Sequence, residues 1–357
     1  MSWQNTLICW SLRRNFLPET RKPIDVARVR ALTARRIWTP RPPRGWHLRE
    51  QYGEQRGEKS AEQRGEQRGE QYEKRRGGQR DLPGAPLRGE WLARERAAGN
   101  DVAASRVILY LHGGGYYFCS PRTHRTITFG LAKRADADCF SLDYRLAPEH
   151  PFPAAHDDAL AAYRCLLADG VSPRSIVIAG DSAGGGLALA TLVALRDAGD
   201  PLPAGALLFS PWTDLAATGA SIRDNDGRDP MFCGDVFARI APLYRGETNS
   251  THPYVSPLYA DLRGLPPLSF HVGSSETLLD DTRRVVARAL EAGVQVECET
   301  AHGLPHIWPI YAPFLPEARR TLDAAARFVR RVTADGPGAN ARANTQANRE
   351  TNSRIHA

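Results

Sequence analysis

The stretch VIAGDSAGGGLALA, residues 177 to 190, runs from an apolar β-type segment through four glycines into an alanine- and leucine-rich helical one. It contains Gly180-Asp181-Ser182-Ala183-Gly184, a G-x-S-x-G with its serine between strand and helix. Glycines two residues to either side leave room for a sharp strand-to-helix turn that exposes the serine hydroxyl. The helix that follows aims its N-terminal dipole and free N–H groups at the same spot, which favours developing negative charge. The other reading of a glycine-rich turn is a phosphate loop, but no lysine follows and the G-x-x-x-x-G-K spacing is absent. Ser182 is therefore read as a nucleophile.

Around this turn the chain alternates. Short β-branched or apolar runs lie at 106–112, 139–145, 175–181, 205–212, 268–274 and 294–300, with helical patterns at 154–168, 184–198, 281–292 and 316–332. Strand–helix alternation predicts an α/β fold, a mostly parallel central sheet covered by helices on both faces. Residues 87–332 form this domain, enough chain for one large core.

The flanks differ. Residues 50–80 repeat Glu-Gln-Arg-Gly with almost nothing apolar to bury, the pattern of a disordered insertion. Residues 1–49 carry Trp3, Trp10, Phe16, Leu17, Trp38 and Trp46 among arginines and prolines, with helical spacing over 25–38. They are too few for a core of their own, so a small N-terminal helical cap is expected. Residues 333–357 are polar and read as a disordered tail.

Bulk features narrow the classes. The net charge of +7 is mostly arginine spread over residues 13–80, and glutamates offset much of it, so no nucleic-acid partner is expected. The six cysteines show neither a CxxC nor a paired spacing, which argues against a disulfide framework or a metal site and for a reducing compartment. No apolar run approaches the roughly 20 residues of a membrane span. Near the start, arginines follow the apolar patch rather than precede it, the reverse of a secretory signal. A cytoplasmic chain is expected, and a homodimer is compatible with the sequence.

A serine needs a base to take its proton, and the base needs a group to orient it. On strand–turn–helix scaffolds of this kind the chain order is serine, acid, histidine. His252 comes before the acid and His271 lies inside a strand, which leaves His302 and His306 in AHGLPHIWPIY after the last strand; His306 is favoured. The acid is sought in HVGSSETLLDDTRR. Asp280 and Asp281 read as the first turn of the next helix, where acids suit the dipole. Glu276 lies in the loop just past the strand, and Asp280 stays as its competitor. LYLHGGG, 109–115, then supplies bare backbone N–H groups. Gly113 and Gly114, with the N–H of Ala183, are expected to form a three-donor oxyanion hole for acyl transfer, while His112 braces the loop.

HGGG at 112–115, GDSAGG at 180–185, DYRLAPEHPFPAAHDD at 143–158 and SPWTDL at 210–215 together resemble the hormone-sensitive-lipase-like branch of the α/β-hydrolase fold. The resemblance implies a carboxylesterase acting on short-chain esters of small molecules, with no cofactor and no metal. Lactone hydrolysis, deacetylation or a non-catalytic receptor are its alternatives. It carries over Ser182, His306, Gly113, Gly114 and Ala183. The chain departs from that branch at Cys119, where many members have glycine, and at Glu276, where many have aspartate.

Overall fold

The computed structural model describes residues 1–35, 39–51, 87–95 and 106–334. Eight strands form one sheet in the order β1-β2-β4-β3-β5-β6-β7-β8. They are β1 Trp46–Gln51, β2 Gly89–Arg94, β3 Val107–Leu111, β4 Asp138–Leu142, β5 Ile176–Asp181, β6 Gly205–Phe209, β7 Leu268–Gly273 and β8 Val296–Ala301. From β4 to β8 every pairing is parallel, while β1 pairs with β2 and β2 with β4 in antiparallel register.

The helices are α1 Trp3–Asn15, α2 Leu17–Thr20, α3 Val26–Arg35, α4 Arg125–Ala135, α5 Ala154–Ala168, α6 Ala183–Asp197, α7 Ser221–Asp224, α8 Val236–Arg245, α9 Leu279–Glu291 and α10 Pro316–Val332. Strands β3 to β7 are buried along their whole length, so they read as continuous apolar runs rather than alternating ones. Alternate residues of each strand, such as Leu109 and Ile178, face a core shared with α5, α6 and α9. Their neighbours Ile108, Tyr110 and Val177 face a second core shared with α4 and α10. Each fully buried leucine or isoleucine of these layers contributes about 1.5–3 kcal/mol.

The strand order places the site. The chain leaves β3 toward β4 on one side and returns to β5 on the other, so the switch point of the winding lies between β3 and β5. Open α/β sheets form their binding crevice there, at the carboxyl ends of the strands. The HGGG loop follows β3 and the GDSAG turn follows β5, which sets the two glycine-rich segments side by side.

Two expectations need correction. The helical reading of residues 1–49 ends at α3, and Trp46–Gln51 is an edge strand whose Glu50 and Gln51 pair with Glu90 and Gly89. The proposed insertion therefore does not begin at residue 50. Its remainder, and the tail from 335, lie outside the described residues. Helices α4 and α8 were also missed.

The N-terminal helices lie against the carboxyl end of the sheet. Asn5 Nδ2 donates to the Gly303 carbonyl at 3.0 Å, and Arg13 donates to the Gly227 and Arg228 carbonyls at 3.0 and 2.7 Å. Arg30 forks onto Glu149 at 2.8 Å and also donates to the Tyr117 and Ala147 carbonyls.

Candidate active site

Ser182 stands between β5 and α6 with φ +52° and ψ −122°, a conformation that costs a non-glycine residue about 1–3 kcal/mol. Its surroundings hold it there. Its N–H donates to Phe209 O, and its carbonyl accepts from Trp212 and Gly186 N–H groups, at 2.9, 2.9 and 3.1 Å. The glycines of the motif are explained by contact. A Cβ on Gly184 would lie 2.1 Å from Leu111 O, and one on Gly180 2.3 Å from Gly184 O. Helix α6 therefore starts directly against the end of β3, closer than any side chain allows.

His306 and Glu276 meet. His306 Nδ1 lies 2.6 Å from Glu276 Oε2, with both side chains buried. Glu276 Oε1 accepts from the Ser210 hydroxyl at 2.8 Å and from Gly273 N–H. A carboxylate oxygen accepts, so Nδ1 must carry the proton, and Nε2 is left with a lone pair. Nε2 is buried and has no partner among the described residues. Burial disfavours a charged His306, but Glu276 outweighs it, with Asp229 and Asp181 adding to its effect, and the pKa rises above the ordinary imidazole value. Behind His306, Ile307 N–H donates to Ser210 Oγ at 3.2 Å, and fully buried Trp308 donates from Nε1 to Thr321 at 3.0 Å. The segment 209–212 thus touches Ser182 on one side and the Glu276–His306 pair on the other.

Of the three N–H groups expected to form an oxyanion hole, that of Gly113 already has an acceptor. Gly113 N–H donates to Asp181 Oδ1 at 3.1 Å, and a Cβ there would lie 2.2 Å from Asp181 Oδ2, so Gly113 faces the interior rather than the crevice. Asp181 also accepts the Tyr110 hydroxyl at 2.6 Å and lies 3.2 Å from His124 Nε2. Burial works against its charge, yet His124 and Tyr110 hold its pKa below the ordinary aspartate value. Gly114, with φ +114°, and Gly115, with φ +58°, have no acceptor for their N–H groups among the described residues. The N–H of Ala183 opens helix α6 and likewise lacks an intrahelical partner. Gly114, Gly115 and Ala183 are thus the ones whose N–H groups stay without an acceptor among the described residues. The third glycine of HGGG was the signal for Gly115.

The remaining candidates fall elsewhere. His302 is exposed, His252 rests near Phe152 and Tyr254, and His271 pairs with Glu299 at 2.8 Å inside β7. Asp280 Oδ2 accepts Ser221 N–H at 2.9 Å, and Asp281 Oδ2 accepts the N–H groups of Thr213 and Asp214 at 2.8 Å each. His112 stacks on Tyr144 at 4.3 Å with Nδ1 on Gly113 O, and burial lowers its pKa to about 3, so it stays neutral. Cys119 has φ +70°, the conformation a glycine would relieve. Ser210 opens the SPWTDL block without its role having been read there, and Asp229 and Phe232, whose ring stands edge-on to His306 at 5.0 Å, are parts of the site that no local pattern marked.

Comparison with known proteins follows the same lines. A family model described as alpha/beta hydrolase fold matches residues 108–310. The chain is 46% identical to an acetyl-hydrolase of Streptomyces hygroscopicus over 247 residues, 69% of this chain and 81% of that protein. EstE5, in a crystal soaked with p-nitrophenyl butyrate, superposes with a TM-score of 0.78 at 33% identity, covering 94% of this chain and all of the other. An esterase from the bacterial hormone-sensitive lipase family superposes at 0.76 with 36% identity, covering 94% and 99% of the two chains.

Proposed function

Because this chain belongs to the alpha/beta hydrolase fold family, as a hormone-sensitive-lipase-like carboxylic ester hydrolase, we propose that it cleaves short-chain acyl esters through an acyl-enzyme on Ser182. One observation carries the reading. The 2.6 Å contact between His306 Nδ1 and Glu276 fixes the imidazole tautomer and leaves Nε2 buried and unpartnered. In this mechanism Nε2 takes the Ser182 proton as Oγ attacks the ester carbonyl. The tetrahedral oxyanion is held by the N–H groups of Gly114, Gly115 and Ala183. The imidazolium, stabilised by Glu276, returns its proton to the leaving alcohol. Water then attacks the acyl-enzyme with His306 again as base, and the acid departs. Each well-aimed oxyanion donor is worth about 2.7–4 kcal/mol of the barrier.

Support for a short acyl group comes from the aromatic wall beside His306. The Phe232 ring packs at 5.2 Å from Phe237 and 5.9 Å from Phe16. The butyrate ester soaked into EstE5 and the acetyl-hydrolase relative point the same way. The latter favours acetyl esters as the second reading. Residues 1–35 act as a cap in this scheme, since Phe16 joins that wall and Asn5 and Arg30 hold the loops of His306 and of the oxyanion donors. No helix among the described residues is long and apolar enough to cross a membrane.

The test is hydrolysis of p-nitrophenyl esters from acetate to laurate with the wild type and Ser182→Ala. We expect turnover to peak at short chains and to fall at least about a thousandfold in the variant. Mass spectrometry should find a covalent acyl or phosphonate adduct on Ser182. Turnover that survives Ser182→Ala overturns the assignment.

A further inference from the structure

Asp229 is fully buried, touches no cation among the described residues, and accepts four hydrogen bonds on its carboxylate. Oδ1 accepts the N–H groups of Met231 and Phe232 at 2.8 and 3.2 Å. Oδ2 accepts the N–H and the hydroxyl of Thr277 at 2.9 and 3.0 Å. Thr277 directly follows Glu276, and Phe232 carries the ring that stands against His306. One carboxylate therefore clasps both sides of the acid–base pair. Asn225, four residues earlier, reinforces the clasp by donating to the Glu276 carbonyl at 2.8 Å.

Stability alone gives a poor account of this arrangement. A buried carboxylate is costly, and this one lies close enough to Glu276 for the two charges to repel. Its two accepting oxygens suit the four donors, but its charge brings that repulsion with it. The charge gains a further use where something positive forms nearby, and His306 does so in each half-reaction. We propose that Asp229 is a positioning residue for catalysis, holding Glu276 and the Phe232 wall in register around His306 and adding a second negative charge behind the imidazolium.

The groups facing this cluster are few. His306 feels Glu276, Asp229 and Asp181, and Asp229 feels Glu276 and His306, with Cys9 of α1 nearby. Burial raises the Asp229 pKa and Glu276 raises it further. Its charge is thus lost earlier than that of an ordinary aspartate as pH falls.

The inference rests on the acid–base assignment made above, and the experiment separates the two. Full-length Asp229→Asn, Thr277→Val and Glu276→Gln are compared with the wild type after a thermal melt and after counting competent sites with a phosphonate. The readouts are kcat and the acid limb of kcat/KM against pH. Asp229→Asn keeps an acceptor for Met231 and Phe232 but removes the charge and sets an NH2 against Thr277 N–H. Its kcat should fall by up to about a hundredfold, the cost of a small misplacement. Its acid limb should move to lower pH, because His306 loses a charge that stabilises its cation. Thr277→Val retains the charge and drops one hydrogen bond, so its kcat should fall less and its limb should stay.

A folded Asp229→Asn with an unmoved limb overturns the proposal and makes the residue merely structural, whatever happens to stability. If Asp229→Asn does not fold, Thr277→Val decides, and an unchanged kcat overturns the proposal. Turnover retained by Glu276→Gln would instead remove the acid–base reading itself. An inactive Glu276→Gln beside a wild-type-like Asp229→Asn refutes only the role of Asp229.

Discussion

The loop after β3, residues 112–119, and the segment from the end of β7 into α9, residues 273–281, are placed by opposite means. The first is placed by main chain. Gly114 has φ +114°, and a Cβ on it would lie 2.2 Å from Phe118 O. Only glycine accepts both demands, so the residue type reveals the constraint. The second segment is placed by side chains that all look alike. Glu276, Asp280 and Asp281 fall within six positions, yet one meets His306, one meets Ser221 N–H and one meets the N–H groups of Thr213 and Asp214. A carboxylate does not announce its partner. Backbone crowding is thus legible in one dimension, and the choice of an acid among neighbours is not.

The sharpest break of this comparison is kinetic. Glu276→Gln preserves shape and removes charge, and kcat should drop by about 10⁴, as when the orienting acid of a serine triad loses its charge. The contrast collapses if Asp280→Asn shows that loss and Glu276→Gln does not.

Gly114→Ala tests the other loop. The added methyl strains a left-handed backbone by about 1–3 kcal/mol. It should also displace an oxyanion donor, which lowers kcat by about 10²–10³ with KM little changed. Wild-type turnover in this variant would show that the loop is not set by its main chain.

The pH profile comes next in size. Activity needs neutral His306, and although burial lowers its pKa, Glu276 outweighs burial and raises it, so the acid limb of kcat/KM should lie above about 6.5, the ordinary imidazole value. The same shift has a stability counterpart. A histidine whose pKa is higher folded than unfolded contributes stability that is fully present below the unfolded value and is lost as pH rises through the folded one. A limb below 6.5 would mean that the two carboxylates do not act on His306 as described.

The smallest effect belongs to Asp280. Its carboxylate holds the start of α7 and sits in the first turn of α9, so Asp280→Asn should cost about 0.3–1 kcal/mol in denaturant unfolding and leave kcat intact.

Much of the fold was legible locally. The apolar runs that became β3 to β7 and the helical periods of α5, α6, α9 and α10 appear in the sequence at close to their observed bounds, because burial on both faces of a parallel sheet leaves few polar residues to blur the strands. The edge hairpin of β1 and β2 was not legible. WHLREQ and GEWLAR carry charges, lie far apart in the chain, and become strands only by pairing with each other and with β4. In the site, Ser182 and the need for glycine at 180 and 184 followed from the turn. Which glycine N–H groups would face the crevice did not, since Gly113 was captured by Asp181 from the next strand over. Nor did Asp229, whose partners lie two, three and 48 positions along the chain. Sequence pattern by itself determined periods, turns and the room a backbone needs, since those depend on neighbours a few residues away. Only the tertiary structure decided which donor met which acceptor, because hydrogen bonds between loops depend on how separate strands end beside one another in space.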